Sequence, residues 1–150
     1  MFVKIKRFSI AAAFAALAFA AAPAYAGECP ADKVGVDVTQ PGPSAPERVT
    51  DTVISSVDLA NYNIPGRQLR LRRLVIEPGG VVPWHSHMDR PANIYVLKGQ
   101  VTEYRSTCAD PILHREGEVV AEQGATSHWW RNNSRRQTIL LSADILPPQN

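Results

Sequence analysis

The sequence predicts an all-β domain, on three observations. Downstream of residue 48 the chain is a succession of short segments of strand character, and several of them alternate with a period of two. Turns rich in glycine, proline or asparagine separate these segments at the spacing of a small sandwich or barrel. Beyond the first 26 residues no apolar pattern of helical period runs for ten residues, and no segment repeats another. A length of 150 residues leaves room for one domain with a hydrophobic core and not for two.

Residues 1–26 precede that domain. Lys4, Lys6 and Arg7 are followed by an alanine-rich apolar run, SIAAAFAALAFAAAP, and then by Ala24-Tyr25-Ala26. This is the pattern of a secretory signal peptide cleaved after Ala26. The run is shorter than the roughly 20 residues of a spanning helix, and Pro23 breaks it, so no stable membrane insertion is expected after cleavage. The mature chain is expected in the periplasm or secreted. Cleavage removes three of the 16 basic residues and none of the 14 acidic ones, leaving 13 against 14. A near-neutral chain offers no electrostatic ground for a nucleic-acid partner.

Residues 27–48 are rich in proline, glycine and small polar side chains and read as an N-terminal arm; residues 49–150 read as the barrel domain. The chain's two cysteines, Cys29 and Cys108, fall one in each part. In an oxidising compartment they are expected to pair, closing a loop of about 80 residues and contributing roughly 4 kcal/mol in the chain-entropy picture. Two free thiols, or Cys29 bonded to another molecule, remain the alternatives.

The strand segments follow in order as VTDTVISSVDL, RQLRLRRLVIEP, VVPWHSH, ANIYVLKGQVTEYR, GEVVAEQG, TSHWWRN and QTILLSADIL. Turns fall at Pro78-Gly79-Gly80, Lys98-Gly99-Gln100, Glu116-Gly117 and Asn132-Asn133-Ser134. Where both alternating sets are apolar, as around Ile94 and Val96 or Ile139 and Leu141, the strand is expected to be covered on both faces.

The stretch PWHSHMDRPA, residues 83–92, holds two of the four histidines. Residues two apart on a strand project to one face about 7 Å apart, so His85 and His87 can share a cavity while Trp84 and Ser86 point away. His128 lies on another strand segment, where alternation puts it on one face with Trp130 and Asn132. Three imidazoles on two segments suit a divalent metal, although a His-X-His pair taken alone is weak evidence.

The surroundings strengthen it. Gly79, five residues, His85-Ser86-His87 and then Tyr95-Val96-Leu97-Lys98-Gly99 resemble the first motif of the cupin family; Gly117, Gly124, His128 and Asn132 resemble the second. The resemblance covers roughly residues 69–145. It implies a cupin-type β-barrel, a double-stranded β-helix or jelly roll, commonly a homodimer, with a metal inside the barrel. Two positions depart from the pattern. The glutamate that usually precedes YVL and its glycine is Ala92, which offers no ligand atom, and the second motif lacks its usual proline, Glu122 standing near that place.

Three readings of the site remain open. His85, His87 and His128 form a neutral face with open positions for substrate or oxygen, as in cupins that resemble cysteine or diketone dioxygenases. Alternatively, Asp89 swings in as a replacement ligand. In the third reading the pocket holds no metal and the histidines hydrogen-bond a small ligand. Imidazoles accept iron, zinc, manganese, nickel or copper, and the resemblance puts iron(II) first. The implied activity is that of a mononuclear metal-dependent oxygenase on a small anionic or chelating substrate; the alternative is a non-catalytic periplasmic module that binds a small molecule or metal.

Trp130, Arg90 and Tyr95 are the candidate lining of the substrate pocket, with Arg90 able to clamp a carboxylate or to pair with Asp89 or a neighbouring strand. His114 reads as a surface residue in a loop, and Arg67, Arg70, Arg72 and Arg73 as a solvated strand face or interface edge. No Ser/His/Asp or Cys/His arrangement is legible.

Overall fold

The computed structural model describes residues 27–38 and 41–148. The segment read as a signal peptide lies outside the described residues. Eight strands are formed among the described residues: β1 (Glu47–Asp58), β2 (Gln68–Ser86), β3 (Ala92–Lys98), β4 (Gln100–Arg105), β5 (Ile112–Arg115), β6 (Val119–Glu122), β7 (Ser127–Arg131) and β8 (Thr138–Leu146). They pair in the order β5-β4-β7-β2-β8-β3-β6, with β1 alongside β2. Every pairing is antiparallel, and the sheet curls into a half-barrel.

Period-two patterning explains which side chains enter that barrel. On β3, Ala92, Ile94 and Val96 are buried while Asn93, Tyr95 and Leu97 face out. On β7, His128 and Trp130 are buried between Ser127, Trp129 and Arg131. Leu74, Ile76, Ile94, Val96, Val101 and Leu140 pack with Trp130 as one apolar cluster. The inward positions are not all apolar, however. Glu103, His114, Glu122, His128 and Asp144 are each at most 1% exposed, and their partners organise the site.

Two segments depart from the sequence reading. Pro78-Gly79-Gly80 does not separate two strands; β2 runs through it and changes partners there. Residues 68–76 pair with β1 and β8, and residues 81–86 pair with β7. Gly79 takes φ +77°, and a Cβ on Gly80 would stand 2.7 Å from the Arg48 carbonyl oxygen, so both glycines serve this bend. The second departure is the loop ending at His114, whose last residues form β5 against β4.

The arm is docked on the barrel. Gly35 and Val38 donate to the carbonyls of Thr107 and Ser106, and Trp84 donates to that of Pro43. Cys29 and Cys108 form a disulfide with Cα atoms 5.7 Å apart, and Val34 bridges to Cys108 beside it. Asn132 closes the β7–β8 turn from within, its amide donating to the carbonyls of Ile76 and Arg136 while its oxygen accepts from Ser134.

Candidate metal centre

His85 lies directly opposite His128 in the β2–β7 register. Facing residues of an antiparallel pair project to the same side, so the two imidazoles meet although 43 positions separate them. His87 follows just after β2, held by its own N–H to the Thr126 carbonyl. The three Nε2 atoms form a triangle with edges of 2.9, 3.1 and 3.1 Å.

Their second nitrogens decide the protonation pattern. Nδ1 of His85 lies 2.8 Å from the Pro83 carbonyl, and Nδ1 of His87 lies 2.8 Å from the Arg90 carbonyl. Nδ1 of His128 lies 2.5 Å from Glu103 Oε1. A carbonyl oxygen only accepts, so Nδ1 carries the proton in His85 and His87. The Glu103 carboxylate imposes the same choice on His128. Three Nε2 lone pairs therefore converge with no proton between them. Burial keeps the rings neutral: it lowers His85 to about 3 and His87 to about 4, with His128 adding to both shifts. Burial lowers His128 too, outweighing the Glu103 hydrogen bond.

Such a triangle repels itself unless a cation or a donor sits among the lone pairs, and its dimensions fit a metal. Nitrogens bound at about 2.1 Å and at right angles to one another stand about 3.0 Å apart. The observed edges match three ligands on one face of an octahedron, with the remaining positions left open. His85, His87 and His128 are thus a group able to hold a metal ion.

Behind His128 lies a polar cluster that the sequence reading missed. Glu103 accepts from His128 through Oε1, from His114 Nε2 through Oε2 at 2.9 Å, and from Arg105 through both oxygens at 2.9 and 3.0 Å. Burial alone would raise this carboxyl; the hydrogen bonds from His114 and His128, with the charge of Arg105, hold it well below its usual range. Glu122 behaves oppositely. Burial, together with the Glu103 charge, pushes it up to about 9, so it is protonated at neutral pH. Its Oε1 receives Arg105 Nη2 at 2.8 Å, while Oε2 has no hydrogen-bond partner. Glu103, Glu122 and His128 also cluster closely enough for a metal, but the Arg105 guanidinium already supplies the cation there.

A cavity of about 340 Å³ opens beside the triangle, at the low end of small-molecule pockets. His85, His87, Arg90 and Trp130 line it. Trp130 is 1% exposed, and its indole N–H lies 3.0 and 3.3 Å from the two nitrogens of His128. Since His128 Nδ1 already donates to Glu103 and the rings cross at 82°, this contact is an N–H directed at the imidazole face.

Several expectations require correction. Tyr95 does not line the cavity: alternation on β3 turns it outward, 38% exposed. Asp89 is no replacement ligand, because its side chain is 63% exposed and paired with Arg67. His114 is not a surface residue; it is fully buried, in phase with Ile112, and bonded to Glu103. Arg70 and Arg72 are not a solvated face, for both are turned into ion pairs with Asp144. Of the two pairings left open for Arg90, the structure shows the one with a neighbouring strand, to Asp144, and not the one with Asp89. Ala92, where a glutamate was looked for, lies opposite Glu122 on one side and Asp144 on the other. One signal was available in the sequence: Glu103 is in phase with Val101, an inward position for a strand with one buried face.

A curled antiparallel half-barrel with inward imidazoles from two strands defines the class as a cupin, and the chain belongs to that family. Residues 72–144 match the cupin domain. The chain is 31% identical over 109 residues to germin-like protein subfamily 2 member 2 of Arabidopsis thaliana; the match covers 68% of this chain and 50% of that protein. It therefore spans about half the length of this curated relative. Its fold is similar to that of a predicted oxalate decarboxylase from Thermotoga maritima, with 19% identity, TM-score 0.54, and coverage of 72% of this chain and 97% of the other. A cupin domain of an XRE family transcriptional regulator from Enterobacter cloacae is also similar, with 14% identity, TM-score 0.52, and coverage of 69% and 100%. At these identities the likeness is one of fold, and cupins with unlike roles share it.

Proposed function

We propose that this chain is an exported, mononuclear metal-binding cupin that acts as an oxygenase on a small anionic or chelating substrate. The convergence of three unprotonated Nε2 atoms at 2.9 to 3.1 Å beside a cavity carries the reading. His85, His87 and His128 hold the ion, with iron(II) first and zinc, manganese, nickel or copper as alternatives. A bound divalent ion polarises an oxygen-donor ligand or activates dioxygen next to it. The chain's own residues do the rest. The carbonyls of Pro83 and Arg90 and the Glu103 carboxylate orient the rings. The apolar walls, including Leu74, Ile94 and Leu140, exclude water from the bound ligand. The disulfide is compatible with an oxidising compartment and supports export to the periplasm or beyond. A homodimer belongs to the same proposal, and sedimentation velocity tests it.

One observation favours a non-catalytic binding module instead. Among the described residues the only carboxylate lining the cavity is Asp51, and Arg72 holds it, so apart from the histidines that hold the ion no free side-chain base faces the ligand. Elemental analysis of protein purified without nickel resin, with His87→Ala alongside, tests the metal: about one ion per chain is expected, lost in the variant. Oxygen uptake with a chelating β-diketone that vanishes in His128→Ala supports catalysis. Thermal stabilisation by the diketone without uptake supports the binding module.

A further inference from the structure

The charged residues that line the cavity, Asp51, Arg72 and Arg90, belong to a single ion-pair cluster. Asp144 on β8 is 1% exposed and receives Arg70 through Nε at 3.0 Å and Nη2 at 2.7 Å, and Arg72 through Nη1 at 3.1 Å. The other nitrogens of Arg72, Nε and Nη2, are bonded to Asp51 of β1. Arg90 approaches the same cluster, with Nη1 3.5 Å from Asp144 Oδ2. Three guanidiniums thus face two carboxylates. The surplus charge sits on Arg90, because Arg70 and Arg72 are each bonded to a carboxylate through two or more nitrogens, while Arg90's own ion pair is too long for a good hydrogen bond. Its side chain is 22% exposed and lines the cavity beside His85 and His87. Its backbone carbonyl accepts from His87 Nδ1, so the residue that orients one imidazole also presents the spare charge.

Apart from the histidines, the rest of the lining is largely apolar, with Val49, Leu74, Val82, Ile94, Trp130 and Leu140 contributing. One guanidinium with donors to give matches a planar carboxylate through its fork geometry. A dianion such as phosphate needs more donors than remain here, and a dicarboxylate would set its second charge among apolar side chains. We propose that Arg90 is the anion-recognition residue of this cavity and that the ligand is a small monocarboxylate with an apolar body. This inference rests on the reading of the cavity as the ligand site of the metal centre, and it names the class of molecule that enters.

Benzoate, its neutral counterpart benzamide and inorganic phosphate are the probes, titrated calorimetrically into the full mature chain in metal-loaded and chelator-treated forms, with metal content measured on the same samples. Benzoate is expected to bind, Arg90→Gln to weaken it roughly tenfold or more, and Arg90→Lys to recover part of the loss. Benzamide and phosphate are expected not to compete. The proposal is overturned if the parent protein does not bind benzoate, if Arg90→Gln binds it as tightly as the parent, or if benzamide or phosphate displaces it. Metal content separates the two readings. A full metal complement without benzoate binding sinks only this inference, whereas Arg90-dependent benzoate binding to a protein that retains no metal sinks only the metal centre. A folded Arg90→Gln is verified by unchanged metal content and thermal midpoint.

Discussion

Glu103 joins the centre to the rest of the barrel. Its two oxygens take four donors from His128, His114 and Arg105, all within a buried space. Replacing it with glutamine puts an NH2 group against at least one of those donors while leaving the shape almost unchanged. Glu103→Gln is expected to lower stability by about 3 kcal/mol in urea titrations. Metal affinity is expected to fall 10- to 100-fold, because His128 loses the partner that fixes its tautomer. Unchanged metal affinity would show that Glu103 serves folding alone. Residue by residue, the site was half legible. His85 and His87 announce themselves because their spacing is local. Glu103, Arg105 and His114 do not, because a charged residue on a strand ordinarily faces water. Their inward position is settled by partners on other strands.

At the scale of elements, β2 decides where the centre forms. By bending at Gly79 and Gly80 it pairs with β1 and β8 in its first part and carries His85 to β7 in its second. An added Cβ has different consequences at the two glycines. At Gly80 it would meet the Arg48 oxygen at 2.7 Å and the Glu77 oxygen and Ile76 Cγ2 at 2.9 Å. At Gly79 it meets nothing within 4 Å, and only the positive φ is penalised. Gly79→Ala is expected to lose about 1 kcal/mol, and Gly80→Ala more, up to about 3 kcal/mol, from overpacking against backbone. Urea midpoints of the two variants check the order. Equal losses would mean that β1 and the Ile76–Glu77 segment of β2 both move aside freely. The sequence reading put a turn here because proline and paired glycines usually mark one; inside a curled sheet the same residues permit a strand to bend without ending.

For the whole molecule, the disulfide ties the arm to the barrel across 79 positions. Serine at both Cys29 and Cys108 is expected to cost about 4 kcal/mol. A lower thermal midpoint checks this, and the same drop should follow reduction of the parent protein. A midpoint unmoved by either change would show that the arm's backbone hydrogen bonds hold it unaided.

From the sequence alone follow the all-β class, the cupin motifs, the three histidines and the two cysteines, since alternation, turn residues and short spacings act within a few neighbouring positions. Tertiary structure alone decided that Glu103 and Glu122 are buried and oppositely protonated, that Tyr95 faces out, and that Arg90 is left with charge to spare. Each of those outcomes depends on which strand lies alongside, and cross-strand register is set by the packing of the whole barrel rather than by any local run of residues.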